Sequence, residues 1–187
     1  MNQLKLHLGC YDRKIYGYTN VDIRSEVNPD VVDDVLELKK FKNNTVDVIY
    51  TCHVLEHLSR ENSKKALTRW FDLLKPGGIL RVSVPDIQAV CEHYIYHKDL
   101  NILTAFLWGS QKHEYDFHYM GWDEITLKRD LIQIGFKNPQ LYDWRATDHA
   151  YIDDYSQAYL PNISYTTRKN GGVINGKLMS LNIEATR

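Results

Sequence analysis

Eight histidines, several of them beside acids, are the side chains of this sequence best suited to chemistry. A histidine titrates near neutral pH, so it can take a proton from a hydroxyl acceptor as a general base. His118 is the leading candidate. It stands in Tyr115-Asp116-Phe117-His118-Tyr119-Met120-Gly121-Trp122, a polar and aromatic stretch with Asp116 close enough in sequence to orient it. The competing reading makes it a packing residue ahead of a helix that Asp123 opens. A second group, Asp148-His149 with Asp153-Asp154-Tyr155, could hold a divalent cation or contact a polyhydroxylated acceptor. Ligand spacing of that kind is a weak signal; a solvated loop is the default and no metal is expected. His113 and Tyr119 join His149 and Tyr155 as candidates for acceptor contact, although His113, like His93 and His97, also reads as simply exposed. His7, inside a strand, reads as the partner of a buried hydrogen bond.

The remaining composition narrows the classes. The three cysteines, Cys10, Cys52 and Cys91, are far apart and odd in number. They make neither a metal-ligand pair nor a disulfide framework, which points to a reducing cytoplasm. A net charge of −1 without a long basic run leaves no electrostatic footprint for nucleic acid. No apolar run is long enough to span a membrane. The first residues enter a strand-like pattern without the features of a signal peptide. A length of 187 residues suits one domain, 1–187, with a full core.

Strands and helices must hold these groups in place. Leu4 to Leu8 alternates and ends at Gly9-Cys10, and further strands are expected over Thr19–Ile23, Asp30–Leu36 and the β-branched Thr45–Cys52. Ser59 reads as the N-cap of a helix in which Ala66, Leu67, Trp70, Phe71 and Leu74 recur at helical spacing, until Lys75-Pro76-Gly77-Gly78 ends it. A strand over Ile79–Val84 and a helix from Ile87 to about His97 follow. The segment 101–121 reads as part helix, part loop, and Asp123 then caps a helix through Ile134. Gln140–Trp144 and Leu178–Ala185 complete the strands as an antiparallel pair at one edge, separated by a polar, Tyr-rich insertion over 145–177. Strands alternating with helices predict an α/β fold: a Rossmann-like three-layer sandwich around a mostly parallel seven-stranded sheet with an antiparallel last strand. Ligands of such sheets bind outside the carboxyl ends of the strands. Gly9, Asp22, Asp34 and the segment after Tyr50 collect there, which suits a nucleoside-like ligand.

Four segments in this order resemble the seven-stranded S-adenosylmethionine-dependent methyltransferases. They are Leu6-His7-Leu8-Gly9-Cys10, Asn20-Val21-Asp22, Val46–Tyr50 running into His53-Val54-Leu55-Glu56-His57, and Leu74-Lys75-Pro76-Gly77-Gly78. The resemblance implies that Gly9 and Cys10 approach the amino-acid part of S-adenosylmethionine, that Asp22 accepts from the ribose hydroxyls and that Asp34 faces the adenine. Cys52 and His53 would line the pocket beneath the sulfonium, and the stretch around His118 would build the acceptor pocket. Tyr11 stands where the family turn usually has another glycine. Only about a dozen residues separate Gly9 from Asp22, so a short turn replaces the first crossover helix.

The expected function is therefore methyl transfer to a small acceptor, an oxygen of a sugar or glycan precursor in surface-polysaccharide synthesis. The partner would be a nucleotide sugar or glycan, and the Tyr-rich insertion would act as a lid or as the interface of a homo-oligomer. The rival readings are a nitrogen or carboxylate methyltransferase, and a cofactor-binding scaffold without turnover.

Overall fold

The computed structural model describes residues 3–152, 154–160 and 176–187. Seven strands form one sheet: β1 (Lys5–Leu8), β2 (Thr19–Asp22), β3 (Val31–Val32), β4 (Val46–Cys52), β5 (Leu74–Pro85), β6 (Lys137–Leu141) and β9 (Ser180–Thr186). A separate two-stranded ribbon pairs β7 (Tyr159–Leu160) with β8 (Lys177–Leu178). The sheet order is β3-β2-β1-β4-β5-β9-β6. The pairings through β3, β2, β1, β4 and β5 are parallel, while β9 runs antiparallel to both β5 and β6. The antiparallel pair expected at one edge is present, with β9 lying between β5 and β6 and β6 outermost.

Alternation along the strands sends two chemistries to the two faces. Leu6, Leu8, Ile49, Leu80, Val82 and Ile183 point to one side and join the main core. Helices α1 (Arg60–Leu73) and α4 (Glu124–Ile134) cover it, with Trp70 fully buried and its indole N–H donating to Val35 O at 2.9 Å. Both helices start where sequence placed them. The Ser59 hydroxyl accepts from Asn62 N, and Asp123 forms a capping box with Thr126. Helix α2 (Ile87–His97) and the short α3 (Thr104–Trp108) share a smaller apolar cluster with Leu160 and Met179.

The opposite face is polar. His7, Asn20, Tyr50, Ser83 and Asn182 are all buried, and the first part of the 145–177 insertion helps to cover them. The Tyr50 hydroxyl bonds the Asp154 carboxylate, the Cys52 thiol donates to Asp154 O at 2.9 Å, and the His149 ring stacks on Tyr50 at 3.8 Å. This is the physical reason for a polar insertion: the sheet presents hydroxyls, amides and imidazoles that need partners once water is gone. The default of a solvated loop is corrected for His149 and Asp154, which are buried, whereas Asp148 and Tyr155 are exposed as expected. His7 bonds the Asn20 side chain at 3.2 Å, as its strand position suggested.

Burial pushes the His149 imidazole down to about 4 from 6.5, against the pull of Asp154. A depressed folded-state value makes its contribution to stability fully present above pH 6.5 and lost as pH falls toward 4, because only the unfolded chain takes up the proton in between. The expected loss over that range is roughly 3 kcal/mol. Urea unfolding of wild type and His149→Phe across pH 4–7 checks it: the wild-type midpoint should fall with acidity and that of the variant should fall less.

Several expected boundaries move for local reasons. The third strand stops at Val32, because the Asp34 carboxylate accepts from Leu36 N at 2.9 Å and turns the chain. The sixth strand ends at Leu141, and Asp143 then caps a 3-10 turn over Trp144–Ala146. The fifth strand begins at Leu74, five residues earlier than expected. Residues 9–18 link β1 to β2 through turns without a helix, as the short spacing required. Asp153 and the rest of the Tyr-rich insertion over 161–175 lie outside the described residues. No helix among the described residues is long and apolar enough to cross a membrane.

Candidate functional site

The carboxyl ends of β1, β2 and β4 meet at one end of the sheet. Gly9 has φ +66°, and a Cβ there would stand 2.3 Å from a methyl of Val54. Only glycine allows this approach of the first turn to the segment after β4. The N–H groups of Gly9 and Cys10 both donate to Val21 O. Tyr11, occupying the expected glycine position, keeps the left-handed backbone at φ +45°. Its N–H donates to Asp22 Oδ2 at 2.8 Å, which helps to hold that conformation.

Asp22 is buried at the tip of β2, and its other oxygen accepts from Arg24 N at 2.9 Å. Each carboxylate oxygen therefore has one lone pair engaged by backbone and one left to accept. Asp33 N donates to Asp22 O at 3.1 Å, which brings Asp34 beside the same strand end. The Arg24 guanidinium lies 4.8 Å over the Tyr11 ring and bonds His113 Nε2 at 3.0 Å. His113 is thus joined to the Asp22 end of the sheet, although it is 91 positions away in sequence.

The two buried cysteines contribute shape instead of reactivity. Burial, with Asp22 adding to it, pushes the Cys10 thiol up to about 12, and burial raises Cys52 well above its ordinary value. Thiols so shifted remain protonated at neutral pH. The Cys52 side chain points into the polar layer under Asp154, so any contact with a ligand would come from its backbone.

His53, directly after β4, is left-handed at φ +53°. Its N–H donates to Ser83 O at 2.9 Å. Its Nε2 lies 2.8 Å from Ser180 Oγ, and that hydroxyl donates to Tyr155 O. The Tyr155 ring meets His53 edge-on at 5.9 Å, so these two candidates do come together. Glu56, three residues on, is fully buried, and neither of its carboxylate oxygens has a hydrogen-bond partner. His53 Nδ1 lies 3.1 Å from one of them without making a hydrogen bond.

His118 approaches the same carboxylate, with Nε2 4.0 Å from Glu56 Oε1. Its Nδ1 lies 2.9 Å from Phe106 O. A carbonyl only accepts, so Nδ1 carries the proton and Nε2 keeps its lone pair. Burial lowers the imidazole's affinity for a second proton, overcoming the opposing pull of Glu56. Asp116, the expected orienting partner of His118, instead bonds Ser110 and Lys112 N; the carbonyl of Phe106 fills that role. His57 lies edge-on to His118 at 4.6 Å, and its Nδ1 is 3.1 Å from Phe117 O, tying the turn after β4 to the loop before α4. Tyr119 is exposed, and its N–H donates to Glu56 O at 2.8 Å.

His149 does not join this group. It belongs to the buried Tyr50 layer. His93, expected to be exposed, is buried on α2 and packs on His97 at 4.3 Å. Glu56, Ser180 and Arg24 are central to the site but were not singled out by sequence. For Glu56 a signal existed, namely an acid flanked by Val54, Leu55 and Leu58. Ser180 arrives from β9 and could be placed only by the sheet order. It also lines a cleft of about 240 Å³ with Asp86, Tyr142, Leu178 and Asn182.

Residues 13–82 match the methyltransferase domain family, a segment running from the turn before β2 into β5. Among curated proteins none matches the sequence. Solved structures with the same fold include an S-adenosylmethionine-dependent methyltransferase from Methanosarcina mazei, at 17% identity and a TM-score of 0.60 over 100% of this chain and 93% of that one. Another, from Archaeoglobus fulgidus, gives 16% identity and a TM-score of 0.58 over 99% and 86%. The Haemonchus contortus phosphoethanolamine N-methyltransferase 2, solved with S-adenosylmethionine, gives 14% and 0.50 over 76% of this chain and 35% of that one. The chain has the seven-stranded fold of these S-adenosylmethionine-dependent methyltransferases, and its residues 13–82 match the methyltransferase domain.

Proposed function

We infer that this chain transfers a methyl group from S-adenosylmethionine to a hydroxyl oxygen of a small polyhydroxylated acceptor such as a nucleotide sugar or glycan precursor. The observation that carries the reading is the buried group after β4, in which a proton-accepting His118 Nε2 faces Glu56. When bound, S-adenosylmethionine supplies an electrophilic methyl on sulfur.

The residues present suit that cofactor. Gly9 clears the approach, Cys10 follows it in the same turn, Asp22 offers two free lone pairs to ribose hydroxyls and Asp34 stands beside the next strand for the adenine. Cys52, through its backbone, and His53 form the floor after β4. His118 Nε2 takes the acceptor's hydroxyl proton, which removes the cost of attacking with a neutral alcohol. His113, Tyr119 and Tyr155, the first beside Arg24 and the others near Glu56 and His53, bind the acceptor, while His149 supports the site from the buried layer. We read residues 1–187 as one domain with the 145–177 insertion on the acceptor side.

The test is incubation of the purified protein with methyl-labelled S-adenosylmethionine and a panel of nucleotide sugars, amines and carboxylates. Label should appear as a base-stable ether on a sugar. Label on an amine, or as a base-labile ester, would replace the oxygen reading with nitrogen or carboxylate methylation. Cofactor binding with no labelled product on the panel would favour the scaffold reading.

A further inference from the structure

Glu56 is the least satisfied charged group among the described residues. It has no exposed surface, and neither carboxylate oxygen receives a well-aligned hydrogen bond, although His53 Nδ1 lies 3.1 Å from Oε1. A buried carboxylate without partners costs several kcal/mol, so its surroundings should explain it. Those surroundings are imidazoles, and they are turned the wrong way to donate. Phe106 O holds the proton of His118 on Nδ1, and Phe117 O does the same for His57. In each ring the nitrogen left over, Nε2, carries a lone pair. One ligand atom from each of Glu56, His57 and His118 lies within 4.8 Å of the others.

His53 repeats the pattern from the other side. The Ser180 hydroxyl gives its proton to Tyr155 O, so Ser180 Oγ accepts from His53 Nε2 and the lone pair of Nδ1 is left 3.1 Å from Glu56 Oε1. A neutral His53, outside the cluster of Glu56, His57 and His118, thus sets a further acceptor against the carboxylate, and a divalent cation on the cluster meets the unmet demand at Glu56.

We propose that Glu56, His57 and His118 bind a divalent transition-metal cation, best matched by Zn²⁺, beside the acceptor pocket. Two imidazoles and one carboxylate are a set that suits zinc and its neighbours better than magnesium, which prefers oxygen. The carbonyls of Phe106 and Phe117 provide the outer hydrogen bonds that metal-binding histidines normally make, fixing tautomer and ring orientation. Tetrahedral ligands about 2.1 Å from zinc lie about 3.4 Å apart. His118 Nε2 and Glu56 Oε1, now 4.0 Å apart, need only a small closure. Three protein ligands leave a position open for an oxygen of the acceptor.

The use of the cation rests on the oxygen-methylation reading, whereas its binding does not. Without the cation, His118 Nε2 takes the proton itself; with the cation bound, His118 Nε2 is a ligand and its proton-accepting role passes to solvent. The acceptor's O–H bond then breaks with its proton passing to water, the O–CH₃ bond forms as the S–CH₃ bond breaks, and sulfur keeps the electron pair of the leaving thioether.

The experiment is titration of the full chain, stripped with chelator, with Zn²⁺ and separately with Co²⁺. Binding is followed by calorimetry and by the visible absorption of cobalt. One equivalent should bind, with cobalt bands typical of low coordination number. Glu56→Gln and His57→Ala should each weaken binding about 10- to 100-fold, while the double variant His93→Ala, His97→Ala should leave it unchanged. His57 is partly exposed, so its variant serves if Glu56→Gln fails to fold. Absence of stoichiometric binding, or binding lost only in the His93/His97 variant, overturns the proposal. Zinc binding at this site with methyl transfer to nitrogen would keep the metal site and remove the oxygen reading. Sugar methylation unaffected by chelator in a protein that binds no zinc would do the reverse.

Discussion

Replacing Asp22 with alanine is expected to weaken S-adenosylmethionine binding by about 100-fold or more. The carboxylate ends β2 in a buried position where each oxygen has spent one lone pair on a backbone N–H, from Tyr11 and from Arg24. The remaining two point to the ribose hydroxyls in the proposed complex. Hydrogen bonds to a charged group are each worth about 1.5–3 kcal/mol, and losing two removes about 3 kcal/mol or more, with each 1.4 kcal/mol a factor of ten. Alanine also orphans Tyr11 N in its left-handed turn, so part of the loss comes through Gly9 and Cys10. Asp22→Asn separates the two effects. Its amide oxygen can still accept from one backbone N–H, while the charge is gone. Calorimetric titration with S-adenosylmethionine and S-adenosylhomocysteine should rank wild type above Asn and Asn above Ala for both ligands. Equal affinities in all three proteins would remove Asp22 from the cofactor site.

His118→Ala is expected to lower turnover on a hydroxyl acceptor by about 10²- to 10⁴-fold, the range for loss of a positioned proton-transfer group. Cofactor affinity should change by less than about threefold, because His118 is fixed by Phe106 O, faces Glu56 and is not among the residues proposed to hold the cofactor. Separate measurement of turnover and of cofactor binding checks the split. A variant that keeps most of its turnover indicates an acceptor that needs no proton removed, as with a carboxylate. If His118 acts through a cation, the variant loses turnover together with metal content. If it acts directly, turnover falls in chelator-stripped protein as well.

Much of the frame could be read directly from the residues. Alternation over Leu4–Leu8 and the β-branched run over 46–52 determined strands, and Ser59 and Asp123 determined where two helices begin. The short spacing from Gly9 to Asp22 ruled out the first crossover helix. These are local matters, in which a few side chains choose among backbone conformations within a turn or two. The position of Asp22, Gly9 and Cys10 at neighbouring strand ends was legible for a related reason: a parallel sheet gathers its strand ends in one place.

What only the tertiary structure decided depended on partners far apart in the chain. No local signal tells that β9 slides between β5 and β6, and that insertion is what delivers Ser180 to His53 across 127 positions. Glu56 and His118 are 62 positions apart, and the loop carrying His118 folds back because Tyr119 N and Met120 N donate to Glu56 O. His149 looked like a solvent-facing ligand in a polar run, but the sheet face that needed covering was itself polar. Its stacking on Tyr50 follows from that need. Sequence determined which groups were available and which strands would carry them. Tertiary packing decided which of those groups lost their water, and with it which had to find a partner in the protein or leave a carboxylate such as Glu56 waiting for one.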